Sequence, residues 1–138
     1  MPSAAALLEH AVELVTLDAP ACARDIEDRL VATALAIELD GELAVLHHDN
    51  GLAVSGRRLT LPTMDVATTS STVLDLLSGR DELLPAVRAN RVRVRASPAL
   101  AASCLDIISA LIEGCARSPG GPALLNQLRT RVERNRYG

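Results

Sequence analysis

Apolar residues change their spacing several times along this chain, and each change marks an element. Ser3 is placed to cap a first helix, in which Leu7, Leu8, Ala11, Leu14 and Val15 recur at helical spacing. Asp18-Ala19-Pro20 reads as a stop and restart, with Pro20 in the first turn of a second helix running to about Leu30. The period then falls to two. Thr33, Leu35, Ile37 and Leu39 alternate with Ala34, Ala36 and Glu38, which predicts a strand. Asp40-Gly41 is a hairpin turn leading into a second strand, Glu42 to His48. Asn50-Gly51 is another, and Leu52 to Arg57 return as a third strand, so the three form a meander. Leu59 to Thr63 are a loop, and Met64 to Thr69 a fourth strand.

In the second half, Ser70 or Ser71 is predicted to cap a short helix ending at Leu77, with Gly79 as the residue that closes it. Asp81 starts another helix, kept short by Pro85. Arg91 to Arg95 make a fifth strand. Ser97-Pro98 opens the strongest helix, to about Arg117, with Leu100, Cys104, Ile107, Ile108, Leu111, Ile112 and Cys115 on one broad face. Ser118-Pro119-Gly120-Gly121-Pro122 is a breaker before a last helix, about Ala123 to Arg134, whose Leu124, Leu125, Leu128 and Val132 oppose an Arg-rich face. The organisation expected is a single domain over residues 1–138, with N-terminal helices at 3–30, a core at about 31–117 and a C-terminal helix at 123–134.

This element order resembles the sterol-carrier-protein-type (SCP2-like) lipid-binding family. The matching positions are Asp65, Gly79, Arg80, Arg91, Val92, Arg93 and Val94. Met64, Asn90 and Ser97 stand where the family has Ala, Gly and Gly, and Asn90 is a mild change because Asn tolerates left-handed backbone angles. The resemblance implies an α+β fold, with a five-stranded, mainly antiparallel sheet covered by helices on one face, here with an extra C-terminal helix. It also implies an apolar tunnel for fatty acyl chains, sterols or phospholipids, with the long helix as one wall, and the guest expected here is a fatty acyl, sterol-like or polyketide-like molecule. On that basis the candidate ligand-lining residues are Leu74, Leu77, Leu83, Val87, Leu100, Cys104, Ile107, Ile108 and Leu111. For each of these, ordinary core packing is the competing reading. No cofactor and no metal are expected.

Composition changes this picture in one respect. Hydrophobic residues make up 49% of the chain but aromatics only 1%, with no Phe or Trp. Large aromatics often shape such tunnels, so an aliphatic core leaves either a wider cavity or a collapsed one. All 14 basic residues are Arg, and the net charge is −3, a poor default for binding nucleic acid. No uninterrupted apolar run reaches 18 residues, so no transmembrane segment is expected. No basic residue precedes Arg24 and no targeting signal is legible, which by elimination leads to a cytoplasmic location.

Candidate chemistry is sparse. Cys22, Cys104 and Cys115 form no CxxC pair, and buried Cys normally behaves as a small hydrophobe. His47 and His48 fall on opposite faces of a strand end and so cannot readily share a metal. With Asp106 they are the acid–base candidates if the scaffold is instead a small enzyme that cyclises or isomerises a bound polyketide or lipid. Arg91, Arg93 and Arg95 form a stripe suited to a phosphate, a carboxylate or an acidic carrier protein, or else a solvated edge that deters aggregation. Leu7, Leu8, Leu14, Leu124, Leu125 and Leu128 on the terminal helices are candidates for a homodimer or partner interface.

Overall fold

Two turns that the chain can make only with left-handed backbone angles set up the sheet. Asp40 (φ 53°) with Gly41 (φ 83°), and Asn50 (φ 55°) with Gly51 (φ 113°), reverse the chain between strands β1 (Ala34–Leu39), β2 (Glu42–His48) and β3 (Leu52–Ser55). The computed structural model describes residues 2–137. Helices α1 (Ala4–Asp18) and α2 (Pro20–Arg29) precede β1, while β4 (Thr63–Thr68), α3 (Ser70–Leu77), α4 (Leu83–Arg88), β5 (Arg93–Arg95), α5 (Pro98–Arg117) and α6 (Gly121–Tyr137) follow β3. The fold is mixed α+β, with sheet order β3-β2-β1-β4-β5. Among the described residues only β1 and β4 pair in parallel; every other pair is antiparallel.

Register decides which side chains meet the helices. Leu35 lies beside Leu46 and Met64, and Ile37 beside Ala44 and Val66, so these six share the inner face. One apolar cluster joins that face to residues from all six helices. A smaller cluster on the outer face holds Ala34, Ala36 and Val45, covered by Leu43 and by Leu59 from the β3–β4 loop. Helix α5 is long and apolar enough by composition to cross a membrane, but here it is the central core helix, burying Cys104, Ile107, Ala110, Leu111, Gly114 and Cys115. At Gly114 a Cβ would come within 2.7 Å of Val15 Cγ2, so α1 and α5 approach as closely as they do only because no side chain intervenes there.

Several boundaries differ from the sequence reading, each for a local reason. Thr69, not Ser70 or Ser71, caps α3: its hydroxyl accepts from the Thr72 amide at 3.2 Å, while the Ser70 hydroxyl donates to Asp40. Strand β3 stops at Ser55, whose hydroxyl bonds both the Arg57 amide and the Arg57 carbonyl. Helix α4 begins after Glu82 rather than at Asp81. Arg91 lies outside β5. Asn90 turns left-handed (φ 63°), the Arg91 and Val92 amides both donate to the Ala86 carbonyl, and the Arg91 guanidinium sits 2.5 Å from Asp81. Helix α6 starts at Gly121, tight against α5, where a Cβ would meet the Cys115 carbonyl oxygen at 2.7 Å. The leucines considered for a dimer interface are spent inside the chain, since Leu7, Leu8, Leu14, Leu124 and Leu128 are all buried and Leu125 is half-buried.

One polar cluster lies within this apolar architecture. Arg131 of α6 is 3% exposed. It donates to Asp40 Oδ2 at 2.9 Å, Glu42 Oε1 at 2.9 Å, the Leu39 carbonyl at 3.1 Å and the Pro2 carbonyl at 3.0 Å. Asp40 also accepts from the Ser70 amide at 2.9 Å and from Asn135 at 3.0 Å, and Glu42 accepts from the Ala4 amide at 3.0 Å. The β1–β2 turn is thereby tied to the starts of α1 and α3 and to the last turns of α6.

The cluster has a pH signature. Burial pushes the Asp40 carboxyl up, but the hydrogen bonds from Ser70 and Arg131 outweigh it and hold the group below its ordinary value. The unfolded chain therefore binds this proton more tightly than the folded one does. The stabilisation is complete above about pH 4 and is lost as pH falls through the lowered folded value. We expect the denaturant midpoint to be level between neutrality and about pH 5, to fall below about pH 4, and to fall less steeply in Asp40→Asn. Equal slopes in the two proteins would show that Asp40 carries no such linkage.

Candidate functional site

A cavity of about 130 Å³ lies between the inner sheet face and the helices. Its floor is Ile37, Leu39, Ala44 and Val66 from the sheet. Helix α1 contributes Ala4, Leu7, Leu8 and Ala11, and α3 contributes Val73, Leu76 and Leu77. Helix α5 contributes Ile108, Leu111, Ile112 and Cys115, and α6 closes it with Leu124 and Leu128. Two lining side chains carry heteroatoms, and both are engaged elsewhere. The Thr68 hydroxyl donates to the Arg91 carbonyl at 2.9 Å, and the Cys115 thiol donates to the Ala11 carbonyl at 3.7 Å. A guest in this space meets hydrocarbon almost throughout.

Of the residues named from sequence, Leu77, Ile108 and Leu111 line the cavity. Cys104 and Ile107 are fully buried in the core beside it, and Leu74, Leu83, Val87 and Leu100 are half-buried against that core. The lining residues from α1, the sheet and α6 are not among those candidates. Their helical or alternating apolar pattern signals burial, but burial in a wall and burial in solid core look alike in sequence. His47 is half-buried and His48 exposed at the end of β2, and Asp106 is ion-paired with Arg29 at 3.2 Å. None of the three lines the cavity.

The two buried cysteines are chemically quiet. Burial pushes both the Cys104 and the Cys115 thiol up to about 11, with the Asp65 charge adding to the effect at Cys104. At pH 8 roughly one in a thousand of either thiol is ionised, and the thiolate is the reactive form. In the native protein we expect a thiol reagent at pH 8 to modify Cys22 alone, which is half-buried, and all three after unfolding. Rapid native labelling of Cys104 or Cys115, read by peptide mass mapping, would contradict this environment.

Comparison with known proteins places this arrangement. No protein-family model matches the chain, and no curated protein matches it. Solved structures do. The chain is similar to a ubiquinone synthesis protein, UbiJ-SCP2, at 20% identity and a TM-score of 0.54, over 73% of this chain and 88% of that one. It also matches the solution structure of a conserved hypothetical protein from Thermus thermophilus, suggested to be a sterol carrier protein, at 20% identity and a TM-score of 0.43, over 73% of this chain and 87% of that one. The first likeness establishes that the chain has an SCP2-like fold.

Proposed function

We propose that this protein holds a hydrophobic small molecule, of fatty acyl, sterol-like or polyketide-like type, in the cavity between the sheet and α1, α5 and α6, and serves as a carrier or accessory in a cytoplasmic biosynthetic pathway. The observation that carries this reading is the wall itself, aliphatic on every side with its two heteroatom side chains already bonded. The fold shared with a ubiquinone synthesis protein supports a pathway role. His47, His48 and Asp106 lie away from the wall, which favours binding over catalysis.

Size sets the terms. A dry apolar cavity of about 150 Å³ holds one benzene, so 130 Å³ accepts about six carbons. At about 0.8 kcal/mol per methylene, six carbons contribute about 5 kcal/mol, a dissociation constant in the sub-millimolar range. A second apolar pocket of about 150 Å³, bounded by Pro122 and Leu125, shares Leu77, Cys115 and Leu124 with the first. If the shared wall yields, a longer chain is buried.

Calorimetric titration with fatty acids from about six to fourteen carbons tests this. We expect affinity to rise about fourfold per methylene and to keep rising beyond six carbons as the pockets join. No saturable binding of any member by protein that melts cooperatively would overturn the proposal.

A further inference from the structure

On the opposite face of the sheet is a second cavity, of about 280 Å³, with a different chemistry. Its floor is made by small residues, Ala36 on β1 and Ala67 on β4, and its edge by Arg93 and Arg95 of β5, with Arg58 of the β3–β4 loop at the other side. Register explains the layout. Ala67 lies between Glu38 and Arg93, and Asp65 between Ala36 and Arg95, so all of these project from the outer face.

The charges do not cancel. Asp65 is committed, accepting from Arg58 at 3.0 Å and from the Thr63 hydroxyl at 3.1 Å. Glu38 is two strands away from Arg93, roughly 10 Å between backbones at the usual strand spacing, and among the described residues it forms no ion pair. Among the described residues neither Arg93 nor Arg95 has an ion pair, although both line the cavity. They stand on alternate positions of one strand, with stems roughly 7 Å apart. At that separation two guanidinium forks can converge on one tetrahedral anion. Strand β5 is an edge strand, so this side of the site is reached directly from solvent.

We propose that this outer pocket is a binding site for a phosphate group, held by Arg93 and Arg95. Depth distinguishes this occupant from an acidic protein surface, which needs a charged face but no concavity. The volume lies just below the usual range for small-molecule sites, about 300–1,000 Å³, and so fits a compact phosphate rather than a whole nucleotide. The site is separate from the apolar cavity and does not depend on its having a guest.

Isothermal titration of the full chain with pyrophosphate at low ionic strength provides the test. The expected result is saturable binding of one pyrophosphate, weakened about tenfold or more in Arg93→Gln and in Arg95→Gln, and also weakened in Arg93→Lys, which keeps the charge but loses the fork. Arg80→Gln, which removes the same charge at an exposed position elsewhere, is expected to bind within about twofold of the parent. Thermal melts confirm that each variant is folded. Displacement of pyrophosphate by vesicles containing phosphatidic acid, but not by phosphatidylcholine alone, would assign the phosphate to a lipid headgroup. Binding of pyrophosphate without displacement would assign it to a free small molecule. The proposal is overturned by an absence of saturable binding, by equal weakening in Arg80→Gln, or by polyglutamate binding more tightly than pyrophosphate.

Discussion

Replacing Arg131 by Met is expected to lower the unfolding free energy at neutral pH by about 3 kcal/mol, a large share of the roughly 5–15 kcal/mol that holds a typical domain together. Met keeps much of the aliphatic stem, so the loss reports the polar contacts rather than a cavity. The cost comes mainly from what is left behind. Asp40, its side chain 17% exposed, keeps its charge without its cation, and the Leu39 carbonyl loses its donor. Glu42, 46% exposed, can turn to water, which keeps the expected value at the lower end of the range for broken buried pairs. Urea unfolding with an unchanged slope measures it. As pH falls through the lowered value of Asp40 in the folded parent, parent and variant should converge. A difference under about 1 kcal/mol at pH 7 would show that the cluster ties the elements together without stabilising them.

The largest effect on binding is expected from Ala44→Leu. Ala44 is 1% exposed on the inner face of β2, beside Ile37, and its methyl forms part of the cavity floor. Leu adds three carbons to a space that holds about six, so half of the room for a guest disappears. Uptake of a fluorescent fatty acid should weaken by tenfold or more. Stability should move little, since filling a void contributes about 0.5–2 kcal/mol and imperfect fit costs about 1–3 kcal/mol. Retention of full uptake by a folded Ala44→Leu protein would place the guest elsewhere.

Much of the scaffold was legible because the chain punctuates itself strongly. Asp40-Gly41 and Asn50-Gly51 do adopt the left-handed angles their types suggest, β2 runs from Glu42 to His48 as its flanking turns require, and α5 runs from Pro98 to Arg117 between a proline start and a proline-glycine stop. Asn90 takes a left-handed conformation (φ 63°), which Asn tolerates better than most residues. The candidate site was legible only in part. Periodicity puts Ile108 and Leu111 on the apolar face of α5, and only the resemblance made that helix a wall; α6 reads as an appendage, although its Leu124 and Leu128 close the cavity. Arg131 was invisible for a related reason. It shares the buried face of α6 with Leu124 and Leu128, but an arginine there reads as reaching out to solvent, and the carboxylates that bury it are 91 and 89 residues away. Asp40 itself was read as turn chemistry alone. It is a turn residue, but its side chain also has a second role that local sequence does not show.

The separation between Asp40 and Arg131 also has a kinetic consequence. We expect this contact to form after the local turns and helices, and so Arg131→Met to show a φ-value near zero in folding kinetics. An interaction absent from the folding transition state changes the rate of unfolding and leaves the rate of folding almost untouched. On that expectation the arginine governs how long the native molecule lasts once made, rather than how quickly it is reached. Because the helix that carries it also closes the apolar cavity, the same lifetime sets an upper limit on how long a guest can remain enclosed.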